Sequence, residues 1–299
     1  MNFKTNIKHI GDPFVVKYNG TYYVYATSFA EGFYVWTSTD LKTFSEPQLC
    51  YQKNERSFGY KDFWAPEVIF NGHQFIMHYS ARDKKSESLR IGVAVASNPL
   101  GPFIDVNDQS PMFDLGYAAI DGHVFVDSDQ KKYFYFAKDC SENTINGIKT
   151  SEIYVVDLAD DFLSIIGTPK RVLTPELPYE TIGFNDGEQY MWNEGPFVIK
   201  ENDIYYLMYS ANYYADKNYC ICVASSKYPD KDFIKYDEPI LTYKEINESG
   251  PGHHMLLKDE EQYLCVYHVH TYPDKPSGDR TMCYIPMSVI NQKFVFHKY

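Results

Sequence analysis

Residues 13–25 read Pro13-Phe14-Val15-Val16-Lys17-Tyr18-Asn19-Gly20-Thr21-Tyr22-Tyr23-Val24-Tyr25. Two apolar runs flank Asn19-Gly20, a dipeptide that favours a type I′ turn because both of its residues tolerate positive φ. The second run is rich in tyrosine, which is a good strand former. The segment therefore predicts a β-hairpin.

The same pattern of apolar run, polar turn and aromatic run returns four times. The later copies are Pro66–Tyr79, with Asn71-Gly72 in its turn, Gly122–Phe136, Gly195–Tyr209 and His254–Tyr267. A further strand candidate follows each hairpin, and these candidates are Phe33–Trp36, Arg90–Val95, Glu152–Val156, Tyr219–Val223 and Thr281–Ile285. No segment between them predicts a helix of three or more turns. Long repeats of this kind are typical of stacked or radial architectures.

Five units of three or four antiparallel strands are each too small to bury their own faces, so they have to pack on their neighbours. Radial closure achieves this and leaves only short exposed edges. We therefore predict an all-β, five-bladed β-propeller that forms one catalytic domain over residues 1–299, with the active site at one mouth of the central channel. A large β-sandwich is the alternative.

The composition supports a globular chain and excludes several classes. Of the 299 residues 44% are hydrophobic, and 28 tyrosines and 20 phenylalanines suit both strands and the stacking of sugar rings. The net charge of -12 argues against a sequence-independent nucleic-acid binder. There is no apolar run long enough to span a membrane. The six cysteines are sparse and irregularly spaced, which favours reduced, buried thiols.

The first residues lack the apolar core of a signal peptide, which predicts a cytoplasmic protein. A secreted chain trimmed of its signal peptide would look the same, so secretion stays open.

Three acidic residues stand directly before or at the start of predicted inner strands. They are Asp12 before Pro13, Asp121 before Gly122, and Glu194 before Gly195-Pro196. In a propeller these positions converge at one mouth of the channel. Carboxylates gathered in a concave, aromatic site raise one another's pKa values, which suits general acid–base catalysis. Taken singly, each acid is also compatible with an ordinary turn or loop.

Five segments of the chain resemble the ordered blade motifs of glycoside hydrolase family 43. They are Gly11-Asp12-Pro13-Phe14, Trp64-Ala65-Pro66-Glu67, Ile120-Asp121-Gly122-His123-Val124-Phe125, Glu194-Gly195-Pro196 and Gly250-Pro251-Gly252-His253. The resemblance spans Gly11 to about Pro286. Its known members are five-bladed propellers that act on arabinose- and xylose-containing glycans with inversion at the anomeric carbon.

The resemblance implies a role for each matched residue. Asp12 would be the general base that activates water, Glu194 the general acid that protonates the leaving oxygen, and Asp121 the third acid that tunes and orients Glu194. Arg280 would bind the sugar at the cleaved end. His253 matches a histidine that in some members holds a calcium ion or its water shell. The family commonly has proline where this chain has Gly122, so the pose of Asp121 departs from the pattern.

Other candidate residues have two readings. Trp64 and Trp192 flank motif acids and are candidate sugar-stacking platforms, with core packing as the alternative, and Phe33 is a weaker candidate. We expect Glu67 to make structural hydrogen bonds. His268 and His270 share a strand face that a metal site could use, but a structural role is favoured.

The resemblance implies an inverting glycosidase that acts on α-L-arabinofuranosyl or β-D-xylosyl residues, and the expected cytoplasmic location favours exo-action on terminal residues. Its substrates would be plant-polysaccharide-derived oligosaccharides containing arabinose or xylose. No cofactor is required by this chemistry, although a structural Ca²⁺ in the central channel is compatible with the resemblance. The alternatives are an endo-acting arabinanase and a non-catalytic sugar-binding propeller.

Overall fold

The computed structural model describes residues 3–185, 187–259 and 262–297, and it confirms an all-β protein. Among these residues, helical structure is limited to α1 (Tyr243–Ile246) and two 3-10 turns, Cys140–Glu142 and Pro178–Glu180. No helix in this part of the chain is long and apolar enough to cross a membrane.

The strands fall into five consecutive groups, which we call units 1 to 5. Unit 1 contains β1 (Phe3–Tyr18), β2 (Thr21–Phe29), β3 (Gly32–Ser38) and β4 (Gln48–Gln52). Unit 2 contains β5 (Gly59–Phe70), β6 (Phe75–Asp83), β7 (Leu89–Ala96) and β8 (Ile104–Asp105). Unit 3 contains β9 (Ala119–Val126), β10 (Lys132–Lys138), β11 (Thr144–Ile145), β12 (Ile148–Leu158) and β13 (Ile165–Leu173). Unit 4 contains β14 (Phe184–Asn185), β15 (Glu188–Glu201), β16 (Ile204–Ala211), β17 (Cys220–Ser226) and β18 (Ile234–Lys235). Unit 5 contains β19 (Gly252–Asp259), β20 (Gln262–His270), β21 (Arg280–Ile290) and β22 (Lys293–Phe296).

Strand pairing within each unit is antiparallel, and two pairings link different units. The first part of β1 pairs with β21, with Phe3 opposite Tyr284, while its second part pairs with β2. Strand β1 therefore joins the first unit to the last. Strands β12 and β15 pair in parallel over Lys149–Ser151 and Tyr190–Trp192, which joins unit 3 to unit 4.

The two predicted Asn-Gly hairpins form, but with different turns. Asn19 and Gly20 have φ values of 49° and 78°, as a type I′ turn requires. In the second hairpin Gly72 has positive φ, whereas the side chain of Asn71 accepts hydrogen bonds from the backbone N–H groups of His73 and Gln74. The prediction of a two-residue turn at Asn71-Gly72 is therefore wrong, because this Asx arrangement closes a four-residue loop. The fifth hairpin's turn lies largely outside the described residues.

Much of the aromatic excess is buried between the units. Tyr25 of β2 is fully buried, and its hydroxyl donates to the carbonyl of Pro99 in unit 2 at 2.6 Å. Tyr135 of β10 likewise donates to the carbonyl of Pro229 in unit 4. A buried tyrosine thus supplies apolar area and a satisfied polar contact at once. The six cysteines are unpaired and buried, as predicted.

Candidate active site

Each unit's first long strand is interrupted by an irregularity at the same place. The pairing register shifts there in β1, β5, β9, β15 and β19. One residue at each interruption has positive φ, and these residues are Asp12, Ala65, Asp121, Gly195 and His253, with φ between 43° and 58°. A bulge re-aims its side chains away from the ladder. Four of the five residues are not glycine, so this backbone is locally strained, as is common at functional sites.

The backbone N–H of each of these five residues donates to a side chain of the preceding unit. The pairs are Asp12 with His268 Nδ1 of unit 5, Ala65 with Thr27 Oγ1 of unit 1, Asp121 with Ser80 Oγ of unit 2, Gly195 with Asp121 Oδ2 of unit 3, and His253 with Ser210 Oγ of unit 4. We call this set the bulge ring. It satisfies five strained N–H groups and ties every unit to its neighbour.

Unit 3 differs from the others within the bulge ring. The acceptors in the other four units lie near the end of the second strand, whereas the matching position of β10 is Ala137, paired with Ile120. Since alanine has no acceptor, Gly195 N–H donates instead to the carboxylate of Asp121, at 3.1 Å. Asp121 therefore contacts the backbone directly after Glu194, as a residue that orients Glu194 would have to do.

Asp12 is buried among cationic and hydrogen-bonding groups. Its Oδ1 lies 2.8 Å from Arg280 Nη1 and 3.3 Å from His253 Nδ1, and its Oδ2 accepts a hydrogen bond from Thr27 Oγ1 at 2.5 Å. Burial alone would raise the pKa of Asp12, but Arg280, the two nearby histidines and Thr27 together hold it well below its ordinary value. Asp12 is therefore ionised and can accept a proton from water.

Glu194 has the opposite surroundings. Burial raises the pKa of Glu194 well above its ordinary value, and the carboxylates of Asp139 and Asp121 raise it further. A hydrogen bond of 2.6 Å from Ser151 Oγ to Glu194 Oε1 opposes this rise. These surroundings favour the protonated form of Glu194, which can donate a proton.

Asp121 lies between these extremes. Burial raises the pKa of Asp121 to about 6, an effect that His253 partly offsets and Asp12 reinforces. The structure thus brings the three predicted acids together with distinct protonation behaviour.

Two cavities adjoin the acids. A narrow one of about 20 Å³ is lined by residues of all five units, including Asp12, Glu67, Asp121 and His254. A larger one of about 360 Å³ lies beside Asp12, between units 1 and 2, where Trp64 forms part of the wall. That volume falls within the range of small-molecule sites, about 300–1,000 Å³. Trp64 is partly exposed, so it can offer a face to a sugar.

The other aromatic candidates are placed differently. Trp192 is 5% exposed because it is stacked between Tyr190 and Tyr213, with ring centroids 5.3 Å away on each side. Phe33 is fully buried against Tyr51 and other aromatic rings. Phe33 therefore has no surface to offer a substrate, and the expectation that it stacks on a sugar is wrong.

The remaining candidates are placed as follows. Glu67 makes structural hydrogen bonds, as predicted. Its Oε1 accepts from Val124 N–H at 2.8 Å, and its Oε2 lies 2.9 Å from His123 Nδ1. Arg280 approaches Asp12 directly and also lies over the ring of Tyr214, 5.0 Å from its centroid. His268 lies in the bulge ring, which supports the structural reading favoured above.

Sequence reasoning missed Thr27, Ser151 and Asp139. Thr27 had a signal, since Thr27, Ser80 and Ser210 occupy matching positions in their repeats. Ser151 and Asp139 had none, because neither belongs to a repeated motif and both reach Glu194 only through the packing of unit 3 against unit 4.

Comparisons with known proteins point to one family of enzymes. The model of the family described as glycosyl hydrolases family 43 matches residues 7–292. A β-D-galactofuranosidase of Aspergillus niger is 24% identical over 291 residues, which cover 91% of this chain and 77% of that protein. An extracellular exo-α-(1→5)-L-arabinofuranosidase of Streptomyces avermitilis is 25% identical over 90% of this chain, which spans 56% of that protein's length. The crystal structure of a thermostable family-43 glycoside hydrolase superposes with a TM-score of 0.91 at 42% identity, covering 99% of this chain and 95% of that one.

Proposed function

This chain belongs to glycosyl hydrolase family 43, and we propose that it is an inverting exo-glycosidase that releases terminal α-L-arabinofuranosyl or β-D-xylosyl residues from plant-polysaccharide-derived oligosaccharides. One observation carries the proposal: two buried acids of one site have opposite surroundings, since Asp12 faces Arg280 and His253 whereas Glu194 lies beside Asp139 and Asp121, and these neighbours shift the two pKa values in opposite directions. A site with one ionised and one protonated carboxyl group can perform glycoside hydrolysis without further groups.

The roles follow from the surroundings of each acid. Asp12, held ionised by Arg280, would remove a proton from the attacking water. Glu194, held neutral by burial and nearby carboxylates, would protonate the leaving oxygen. Asp121 would keep Glu194 in place through Gly195 N–H. Bond making by water and bond breaking at the protonated oxygen then occur on opposite faces of the sugar, which inverts the anomeric centre.

We propose that the five units are the blades of a closed β-propeller, forming one catalytic domain over residues 1–299. Two observations support closure. The bulge ring runs from each unit to the preceding one and from unit 1 back to unit 5. Strand β1 also contributes to both the first and the last unit.

Exo-action on a furanoside or a xyloside is supported by the names of the relatives, one of which is an exo-acting arabinofuranosidase. The A. niger relative is named for β-D-galactofuranose. That sugar shares its furanose ring with α-L-arabinofuranose and differs by an added hydroxymethyl group, so it belongs in any substrate panel. An endo-acting arabinanase is the alternative.

A calcium ion near His253 does not fit the described residues. Calcium takes six to eight oxygen ligands, whereas the narrow cavity has room for about one water. His253 Nδ1 already faces Asp12, and both oxygens of Glu67 are occupied. The ring nitrogens of His254 have no hydrogen-bond partner among the described residues, but nitrogen is a poor calcium ligand. No step of the proposed reaction therefore involves a metal ion.

Hydrolysis of para-nitrophenyl glycosides tests the proposal. The panel comprises α-L-arabinofuranoside, β-D-xylopyranoside and β-D-galactofuranoside, with Asp12→Asn as the control, and proton NMR identifies the first anomer released. We expect turnover of the arabinofuranoside or the xyloside, its loss in the control, and an inverted product. A retained anomer would contradict the mechanism, and activity only on polymeric arabinan would replace exo-action by endo-action.

A further inference from the structure

A fourth carboxylate, Asp139, lies beside Glu194. It directly follows β10 and is 8% exposed, and one of its carboxylate oxygens lies within 4.8 Å of a carboxylate oxygen of Glu194. A carboxylate at this distance in a buried site disfavours the ionisation of Glu194. Asp139 is not one of the three motif acids, so Glu194 is influenced by a residue that lies outside the five family motifs.

Local structure holds Asp139 in this position. It is the N-cap of the 3-10 turn Cys140–Glu142, and its Oδ1 accepts from the backbone N–H of Ser141 at 2.9 Å. Its own backbone N–H donates to the carbonyl of Ala118 at 2.9 Å. These bonds anchor the residue on both sides, so its carboxylate stays next to Glu194.

The same turn fixes a group that acts on Glu194 in the other direction. Ser151 Oγ accepts from the backbone N–H of Cys140 at 2.9 Å and donates to Glu194 Oε1 at 2.6 Å. A hydroxyl that donates to a carboxylate favours its charged form. The turn after β10 therefore presents one group that favours the neutral acid and orients a second that favours the ionised one.

The other titratable groups around Glu194 come from several elements. They include Asp12 on β1, Asp121 on β9, Cys140 in the 3-10 turn and Tyr219 before β17, with His253 on β19 close to Gly195. Burial raises the pKa of Cys140 and of Tyr219, so both side chains are uncharged near neutral pH. Asp12 and Asp121 have assigned roles in the reaction. Asp139 and Ser151 do not.

We propose that Asp139 and Ser151 are positioning residues for the general acid: Asp139 keeps the proton on Glu194, and Ser151 orients the carboxyl group and limits that effect. The inference rests on the proposed function insofar as it takes Glu194 to be the acid. It predicts opposite changes in pH dependence when the two residues are altered, which a purely structural role would not produce.

The test compares Asp139→Asn with Ser151→Ala. Asparagine is as good an N-cap as aspartate, so the first variant removes the charge and keeps the turn. Without that charge Glu194 ionises more readily, and the basic limb of kcat/KM should move to lower pH by about 1 unit. Without the serine hydroxyl the ionised form loses a donor, and the limb should move to higher pH by about 1 unit. If Asp139→Asn does not fold, Asp139→Ser also preserves the cap.

Asp83→Asn is the matched control. Asp83 is buried at the end of β6 and accepts from the backbone N–H groups of Lys85 and Ser86, so it has the same type of local role in unit 2. Its substitution should leave the limb unchanged. An equal displacement in this control, or displacements of the same sign in Asp139→Asn and Ser151→Ala, would overturn the proposal.

A second readout is independent of turnover. NMR titration of ¹³C-labelled glutamate carboxyl groups, with the signal of Glu194 identified by its loss in Glu194→Gln, follows the acid directly. The titration should move down in Asp139→Asn and up in Ser151→Ala, and an unchanged titration in Asp139→Asn overturns the inference. If the titrations move as expected while the unmodified protein cleaves no glycoside, the proposed function fails and the coupling to Glu194 stands.

Discussion

The two sides of the site contrast in their electrostatics. On one side Asp12 faces Arg280 and His253, and on the other Glu194 faces Asp139 and Asp121. Both acids are buried, and burial alone would raise the pKa of each. At Asp12 the cationic neighbours outweigh burial and lower the pKa, whereas at Glu194 the neighbouring carboxylates add to burial and raise it. Burial thus raises the pKa of both carboxyl groups, and the sign of the neighbouring charges determines whether that rise is reversed, as at Asp12, or increased, as at Glu194.

The largest expected effect comes from removing either acid. Asp12→Asn should lower kcat by about 10²–10⁴ for every substrate, because water activation is always needed. Glu194→Gln should cause a similar loss for alkyl or sugar leaving groups and a much smaller one for dinitrophenyl glycosides, whose leaving oxygen needs no proton. Steady-state kinetics on both substrate types measures this. If kcat of the two variants depended equally on the leaving group, Asp12 and Glu194 would not have the different roles proposed for them.

A smaller effect is expected from the cation beside Asp12. Arg280→Gln removes the charge that favours ionised Asp12, so burial then raises the pKa of Asp12. The base becomes protonated at higher pH, and the acidic limb of kcat/KM should move to higher pH by about 1–3 units. Arg280→Lys, which keeps a charge, should move it less. If only KM rises in Arg280→Gln, the arginine binds the sugar, as the family resemblance implies, and does not control the ionisation of Asp12.

The smallest effect separates the two tryptophans. Trp64→Ala, on the side of Asp12, should raise KM about tenfold, since an aromatic contact contributes roughly 0.5–1.5 kcal/mol. Trp192→Ala, next to Glu194 in sequence, should instead lower the free energy of unfolding by about 3–5 kcal/mol, because its ring is packed between two tyrosines. Michaelis kinetics and thermal melts on both variants distinguish these outcomes. A large rise in KM for Trp192→Ala with unchanged Tm would assign it to substrate binding.

The sequence predicted the all-β units and the three acids because both repeat with a recognisable pattern. It could not predict the partners of those acids. The contact of Arg280 with Asp12 joins residues 268 positions apart, and Asp139 reaches Glu194 only because β12 pairs with β15. Trp64 and Trp192 looked equivalent in sequence, yet the tyrosines on both sides of Trp192 leave only Trp64 partly exposed. Side-chain neighbourhoods depend on non-local packing, which local patterns do not encode.

The pairing of β1 with β21 has a consequence for biosynthesis. Asp12 is synthesised 268 residues before its partner Arg280. Units 2 to 4 can assemble from local hairpins while the chain is still being translated, but the general base acquires its counter-ion only after β21 emerges. A nascent chain arrested before β21 would therefore contain all three acids and still lack a competent base. If Asp12 is the general base, as proposed, catalytic competence requires that β21 has been synthesised.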